Sequence, residues 1–184
     1  MIFDHIKYLE KIARESVDIK HTDEKPHFSI ASGYTQAEQL MQNALRSNEV
    51  QLIAIDDLSG SYDNDDSINL YDTQSCSLMV LKHVSDLNNM VETQTARKQC
   101  QLIARKIFAR MRYDQYLAQK NIPINDSIGL RQLNQNSFQY FSVGPIGDNY
   151  FGIDISFTVG TPESMKYNPD DWTENEQVIE TPNP

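Results

Sequence analysis

Phe151-Gly152-Ile153-Asp154-Ile155-Ser156-Phe157-Thr158-Val159 decides the fold class. Five apolar side chains alternate with four small or polar ones, the period of a β-strand with one face buried and one face polar. Just upstream, Gly144-Pro145-Ile146-Gly147-Asp148 supplies turn residues, and Phe138 to Val143 reads as the partner arm. The pair predicts an antiparallel hairpin with one face buried and the other polar, as in a half-covered sheet.

Working back from this hairpin, Ala96, Cys100, Ile103, Ile107 and Met111 share one helical stripe, widened by Ala104 and Phe108. The spacing predicts a long helix capped by Asp86. Asp114 falls on the same stripe, so a bend, an end or emergence from the core is expected near 113–119, with Pro123 as the latest limit. Val50 to Ile55 and Cys76 to Val84 read as two strands. Between them, Asp57 to Thr73 reads as a long acidic loop with a Ser59-Gly60-Ser61 turn. Thr35 and Glu38 have capping-box spacing ahead of Ala37, Leu40, Met41, Ala44 and Leu45, a second helix. Residues 2–15, with Ile2, Ile6, Leu9 and Ala13 in phase, predict a first one. His27 to Ala31 reads as a short strand or an extended connection.

These elements predict an α+β fold: a small, mostly antiparallel sheet of about four strands with helices packed on one face. Residues 1–160 form a single domain in this reading. Residues 161–184, which contain Pro162, Pro169, Pro182 and Pro184 and are rich in acids, form an extended C-terminal arm.

Composition narrows the function. The chain has 184 residues and a formal charge of -10. One domain suits that length. The acidic balance argues against a sequence-independent coat on nucleic acid, which draws its affinity from bases on phosphates. No window approaches a membrane helix, and Met1 to His5 does not open a signal peptide. Cys76 and Cys100 are expected as buried free thiols in a reducing compartment.

Catalytic signatures are sparse. The sequence contains no G-x-x-x-x-G-K-[ST] loop, no G-x-G-x-x-G and no G-x-S-x-G. His5, His21, His27 and His83 lie on four different elements and read as structural. Asp63, Asp65 and Asp66 open like an EF-hand loop, but Ile68 stands where glycine is needed and Gln74 where the bidentate glutamate belongs. The expectation is therefore no catalytic residue, no metal and no cofactor.

Surface charge gives more. Arg97, Lys98, Arg105 and Arg112 share a flank of the long helix beside its apolar stripe. No interleaved aromatics are expected there for stacking bases. An acidic partner suits that flank. Two acidic segments of the chain itself qualify: the loop with Asp57, Asp63, Asp65 and Asp66, and the arm with Tyr167 and the sole tryptophan, Trp172. Tryptophan is enriched among interface anchors.

The run Phe141-Ser142-Val143-Gly144-Pro145-Ile146-Gly147-Asp148-Asn149-Tyr150-Phe151-Gly152-Ile153-Asp154-Ile155-Ser156-Phe157 resembles the C-terminal hairpin of small structural proteins of tailed phages and prophages of Bacteroides-like bacteria. The element order is similar to that of tail-terminator or tail-completion proteins. The resemblance implies a virion protein, assembled in the bacterial host cytoplasm, that forms a homo-oligomeric ring of six or twelve copies in the head-tail connector or tail. Its partners would be other neck or tail virion proteins. DNA would pass without specific binding, no membrane would be involved, and there would be no catalytic residues. On the residues alone, two alternatives stay open. One is a non-catalytic adaptor or binding protein of a mobile element. The other is a metal-dependent phosphodiester enzyme that uses the acidic loop.

Overall fold

Alternating apolar residues in three long segments produce a sheet with two distinct faces, and each face acquires its own helical layer. In the computed structural model, the described residues are 3–43, 49–63, 70–120 and 128–163. The order is α1 (His5–Glu15), β1 (Phe28–Ala31), α2 (Tyr34–Asn43), β2 (Val50–Asp63), β3 (Leu70–His83) and α3 (Met90–Gln119). A short 3₁₀ turn (Ile128–Gln132), β4 (Leu133–Ile146) and β5 (Tyr150–Glu163) follow. The strands form one sheet in the order β1-β2-β3-β5-β4. Only β1 pairs in parallel, with β2; the other pairs are antiparallel. The expected α+β class with a mostly antiparallel sheet is what the chain adopts.

Three expectations need correction. The sheet has five strands, because His27 to Ala31 supplies a true strand, with Phe28 opposite Leu52. The helices also do not share one face. Leu52, Ala54, Leu78, Val80, Ile153 and Ile155 pack under α1 and α3, with Ile103, Ile107 and Met111. The opposite face of the same strands, Ile53, Ile55, Met79 and Leu81, packs against Ala37 and Met41 of α2. The continuous apolar run Leu52-Ile53-Ala54-Ile55 is the residue-level reason, since a strand buried on both faces has no polar alternation.

The third correction concerns the acidic loop. Most of Asp57 to Thr73 is strand: β2 continues through a register shift between Ile55 and Ser59, and Ser59 to Asp63 pairs with Tyr71 to Ser75. Asp65 and Asp66 lie outside the described residues, as do Tyr167 and Trp172. Serine, threonine and aspartate disguise the pairing, because this part of the ribbon has little apolar surface to bury. Strand β5 likewise runs to Glu163, opposite Leu70.

Helix starts also differ from expectation. Asn89, not Asp86, caps α3, its side chain accepting from Glu92 N at 3.1 Å. Helix α2 begins at Tyr34, so Thr35 is already inside it; Gln36 Oε1 accepts instead from Ser32 N and Oγ at 2.6 and 2.8 Å. Asp4 caps α1. The backbone N–H of Lys7, donating to that carboxylate, holds its pKa below the ordinary aspartate value.

Helix α3 ends at Gln119, within the expected stretch 113–119, but Asp114 is not what ends it. Asp114 is 1% exposed and the helix continues past it. Tyr8 Oη donates to Asp114 Oδ2 at 2.9 Å, and Arg110 Nε donates to both carboxylate oxygens at 2.9 Å. Burial, and then the neighbouring carboxylate, push the Tyr8 phenol above its ordinary range, so it stays a donor. Arg110 also reaches Glu15 at 2.9 Å, so the cluster joins α1 to α3. The next residue, Gln115, donates to Leu133 O at 2.8 Å and accepts from Gln135 Nε2 at 2.5 Å, tying α3 to β4. Two polar residues thus interrupt the apolar stripe without leaving the core, because distant segments satisfy them.

Two glycines permit close approach. A Cβ on Gly152 would meet Val80 O at 1.9 Å, and one on Gly147 (φ +53°) would meet Met41 of α2 at 2.7 Å. Both cysteines are buried, and burial pushes each thiol up to about 12.

Asp114→Ala is expected to cost about 1–3 kcal/mol, because it strands a buried phenol without its acceptor. Tyr8→Phe should cost less, since Arg110 still holds the carboxylate. In the double variant the losses should be clearly less than additive, as for residues in one network. Chemical denaturation of the four proteins checks this, and strict additivity would mean that the hydrogen bond contributes nothing.

Candidate functional site

Strand β4 is an outer strand of the sheet, and its sequence, LNQNSFQYFSVGPI, contains no charged residue. Long sheet edges are ordinarily protected by charge, proline, bulges or cover, because their free backbone groups invite another strand. This edge has two register shifts, between Asn134 and Gln139 and between Val143 and Ile146. It nonetheless leaves Tyr140 59% and Phe141 60% exposed, on opposite faces.

Between β4 and α3 runs a groove of about 430 Å³, walled by Gln101, Ala104, Arg105, Phe108, Phe138 and Tyr140. An aromatic series leads into it from the core. Phe157 stacks on Phe138 with centroids 5.3 Å apart, and Phe138 meets Phe108 at 3.7 Å. The Arg112 guanidinium lies 5.9 Å from the centre of the Phe108 ring. Gln101 donates to Tyr140 Oη at 3.2 Å, closing the groove on one side. Further along α3, Tyr113 and Tyr116 are exposed beside Arg112, and Lys120 lies 5.8 Å from the Tyr116 ring centre. Aromatics therefore do stand on the basic flank, contrary to expectation. The Phe108, Arg112, Tyr116, Lys120 spacing of four was the legible signal for them.

The four cations expected on one flank divide into two roles. Lys98, Arg105 and Arg112 are exposed, and among the described residues they have no acidic partner. Arg97 is half-buried. Its guanidinium lies 5.2 Å from the centre of the Phe151 ring and donates to Gly144 O at 3.5 Å, bracing the last hairpin. The other bases of α3 turn toward α1: Lys106 pairs with Asp18 at 2.7 Å, and Arg110 with Glu15 and Asp114. The groove-side flank is thus left basic, while the α1-side flank is neutralised.

Acidic residues collect elsewhere in the sheet. Strand β1 covers only Leu52 to Ile55 of β2, so β2 beyond Ile55 has no strand on its outer side among the described residues. Asp56 and Asp57 are exposed there, and Asp63 ends the strand opposite Tyr71. On that side of the sheet β1 is uncharged and the part of β2 that extends past it is acidic, while the opposite edge, β4, is uncharged and lies beside a basic helix. Among the described residues, no three His, Cys, Asp or Glu side chains gather as a metal site would require.

Three of the histidines hold the fold. His5 Nε2 lies 3.1 Å from Ile55 O and Gln74 Nε2 3.3 Å from His5 Nδ1, fastening α1 to the irregular part of β2. His27 Nδ1 lies 2.7 Å from Ile19 O, and His27 N donates to His21 Nδ1 at 3.1 Å.

Among known proteins, no family model, no curated protein and no solved structure matches this chain. No helix among the described residues is long and apolar enough to cross a membrane.

The division of the cations has a direct consequence. Arg97→Ala should lower stability by about 1 kcal/mol through its lost ring contact, whereas Arg105→Ala and Arg112→Ala should stay within about 0.5 kcal/mol. Thermal denaturation of the three variants separates the structural arginine from the two surface ones.

Proposed function

We propose that this protein is a phage virion structural protein that forms a homo-oligomeric ring in the head-tail connector or tail. The observation that carries the reading is the unlike character of the two sheet edges. One is acidic at Asp56, Asp57 and Asp63. The other is uncharged at β4 and flanked by Lys98, Arg105, Arg112 and exposed aromatics. A heterologous contact joins two different patches, and such contacts close into rings when the rotation permits. Opposite charges on the two patches steer the partners and fix their orientation.

The same charge distribution suits a DNA conduit. A ring through which a duplex passes must not hold it, and an acidic lining repels phosphate. The β2–β3 ribbon, with Asp57 midway along β2, Asp63 at its end and Asp65 and Asp66 following in sequence, is the element that would approach the channel. His5, His21 and His27 act as braces, and the reading assigns them no catalysis.

Imaging and mass measurement of the purified chain, alone and with co-expressed neck proteins of the same phage, test the reading. A ring of six or twelve copies is the expected result, and a particle of lower order in both preparations counts against it. Replacing Asp57, Asp63, Asp65 and Asp66 together by Asn should strengthen non-specific binding of duplex DNA at low salt. Unchanged binding would remove the aspartates from the channel.

A further inference from the structure

The groove between α3 and β4 has a lining of consistent chemistry. Its floor is aromatic, its rim is cationic, and none of its lining residues is acidic. The adjoining shallow surface, with Arg112, Tyr113 and Tyr116, repeats that chemistry. An occupant needs at least one large aromatic group flanked by carboxylates. The chain contains such a segment after its last described strand: Asp170-Asp171-Trp172-Thr173-Glu174.

We propose that the groove binds the C-terminal segment of a neighbouring copy, with Trp172 seated between Arg105, Phe108, Phe138 and Tyr140 and the adjacent carboxylates facing Arg105 and Arg112. This adds the C-terminal segment to the acidic groups that the cationic flank takes from a neighbour, and it rests on the reading of the protein as an oligomer. Tryptophan gives large contact area with few torsions to fix. Flanking acids meet cations that have no other acidic partner among the described residues.

Chain length weighs against the same copy. Strand β5 passes the groove at Ile155 and runs on to Glu163. Those eight residues carry the chain about 26 Å beyond the groove. Nine further residues reach Trp172, and fully extended they span about 30 Å. Return to its own groove would require a reversal, a shift of about 5 Å across β4 and nearly the whole reach of the segment. A neighbouring copy imposes no reversal.

Trp172 is the only tryptophan, so fluorescence excited at the red edge, where the nine tyrosines do not absorb, reports on it alone. The experiment records the emission maximum and the sedimentation mass of the full chain over a range of concentrations, for the wild type, Arg105→Glu and Tyr140→Ser. Both variants alter exposed side chains. The expected result is a blue shift that grows in step with mass in the wild type and is lost in both variants. A blue shift independent of concentration in a monomer overturns the proposal in favour of a segment folded on its own copy. Solvent-like emission at every concentration overturns it outright. Rings with solvent-exposed Trp172 defeat this contact while leaving the ring intact. Concentration-dependent burial of Trp172 in a dimer that closes no ring supports the contact and defeats the ring. A single-stranded oligonucleotide is the second probe. Binding that abolishes the wild-type blue shift and is itself lost in Arg105→Glu would make the surface a nucleic-acid site and overturn the proposal.

Discussion

The pairing of β3 with β5 is the constraint on which the rest of the molecule depends. It runs without a register shift from Leu70 opposite Glu163 to His83 opposite Tyr150. Because side chains alternate strictly along both strands, this one register assigns every neighbouring residue to a face. Cys76, Leu78 and Val80 with Ile153, Ile155 and Phe157 make the floor for α1 and α3. Met79 and Leu81 with Tyr150 make the floor for α2. A slip by one residue would exchange the two floors and present Asp154 to the main core. Gly152 lets the strands approach at the point where any side chain would strike Val80 O.

Long periodic segments were readable because their burial is one-sided. The alternation Phe151 to Val159 and the stripe Ala96 to Met111 each name their buried face, and both faces are buried as expected. What escaped the sequence depends on partners far along the chain. Asp114 looks like an interruption until Tyr8 and Arg110 are placed against it. The second helical layer was hidden because Ile53, Ile55, Met79 and Leu81 read simply as more apolar strand. The ribbon beyond Ile55 was hidden because hydroxyl and carboxylate side chains carry no burial signal, while backbone pairing does not require one.

The candidate site follows the same division. That α3 carries bases was legible, but their division was not, because residues three or four apart lean toward different neighbours once the helix is docked. Arg97 is drawn to Phe151, Lys106 to Asp18 and Arg110 to Asp114 and Glu15. Lys98, Arg105 and Arg112 remain on the open side. The groove itself needed Phe108 and Phe138 to meet, a contact between residues thirty positions apart that no local pattern announces.

The position of those remaining cations bears on symmetry. An uncharged edge such as β4 could in principle pair with the β4 of a second copy across a two-fold axis. That arrangement would set Lys98, Arg105 and Arg112 of one copy near the same three residues of the other. Like charges brought together at an interface oppose association, and desolvation would add to the cost. The acidic edge of β2 disfavours self-pairing for the same reason with the sign reversed. Each edge therefore opposes pairing with its own kind, and in the proposal the cationic flank beside β4 is the side that takes an acidic partner. That charge distribution is the physical ground on which the proposed ring rests, since head-to-tail contacts close into rings only where unlike patches meet and the rotation permits.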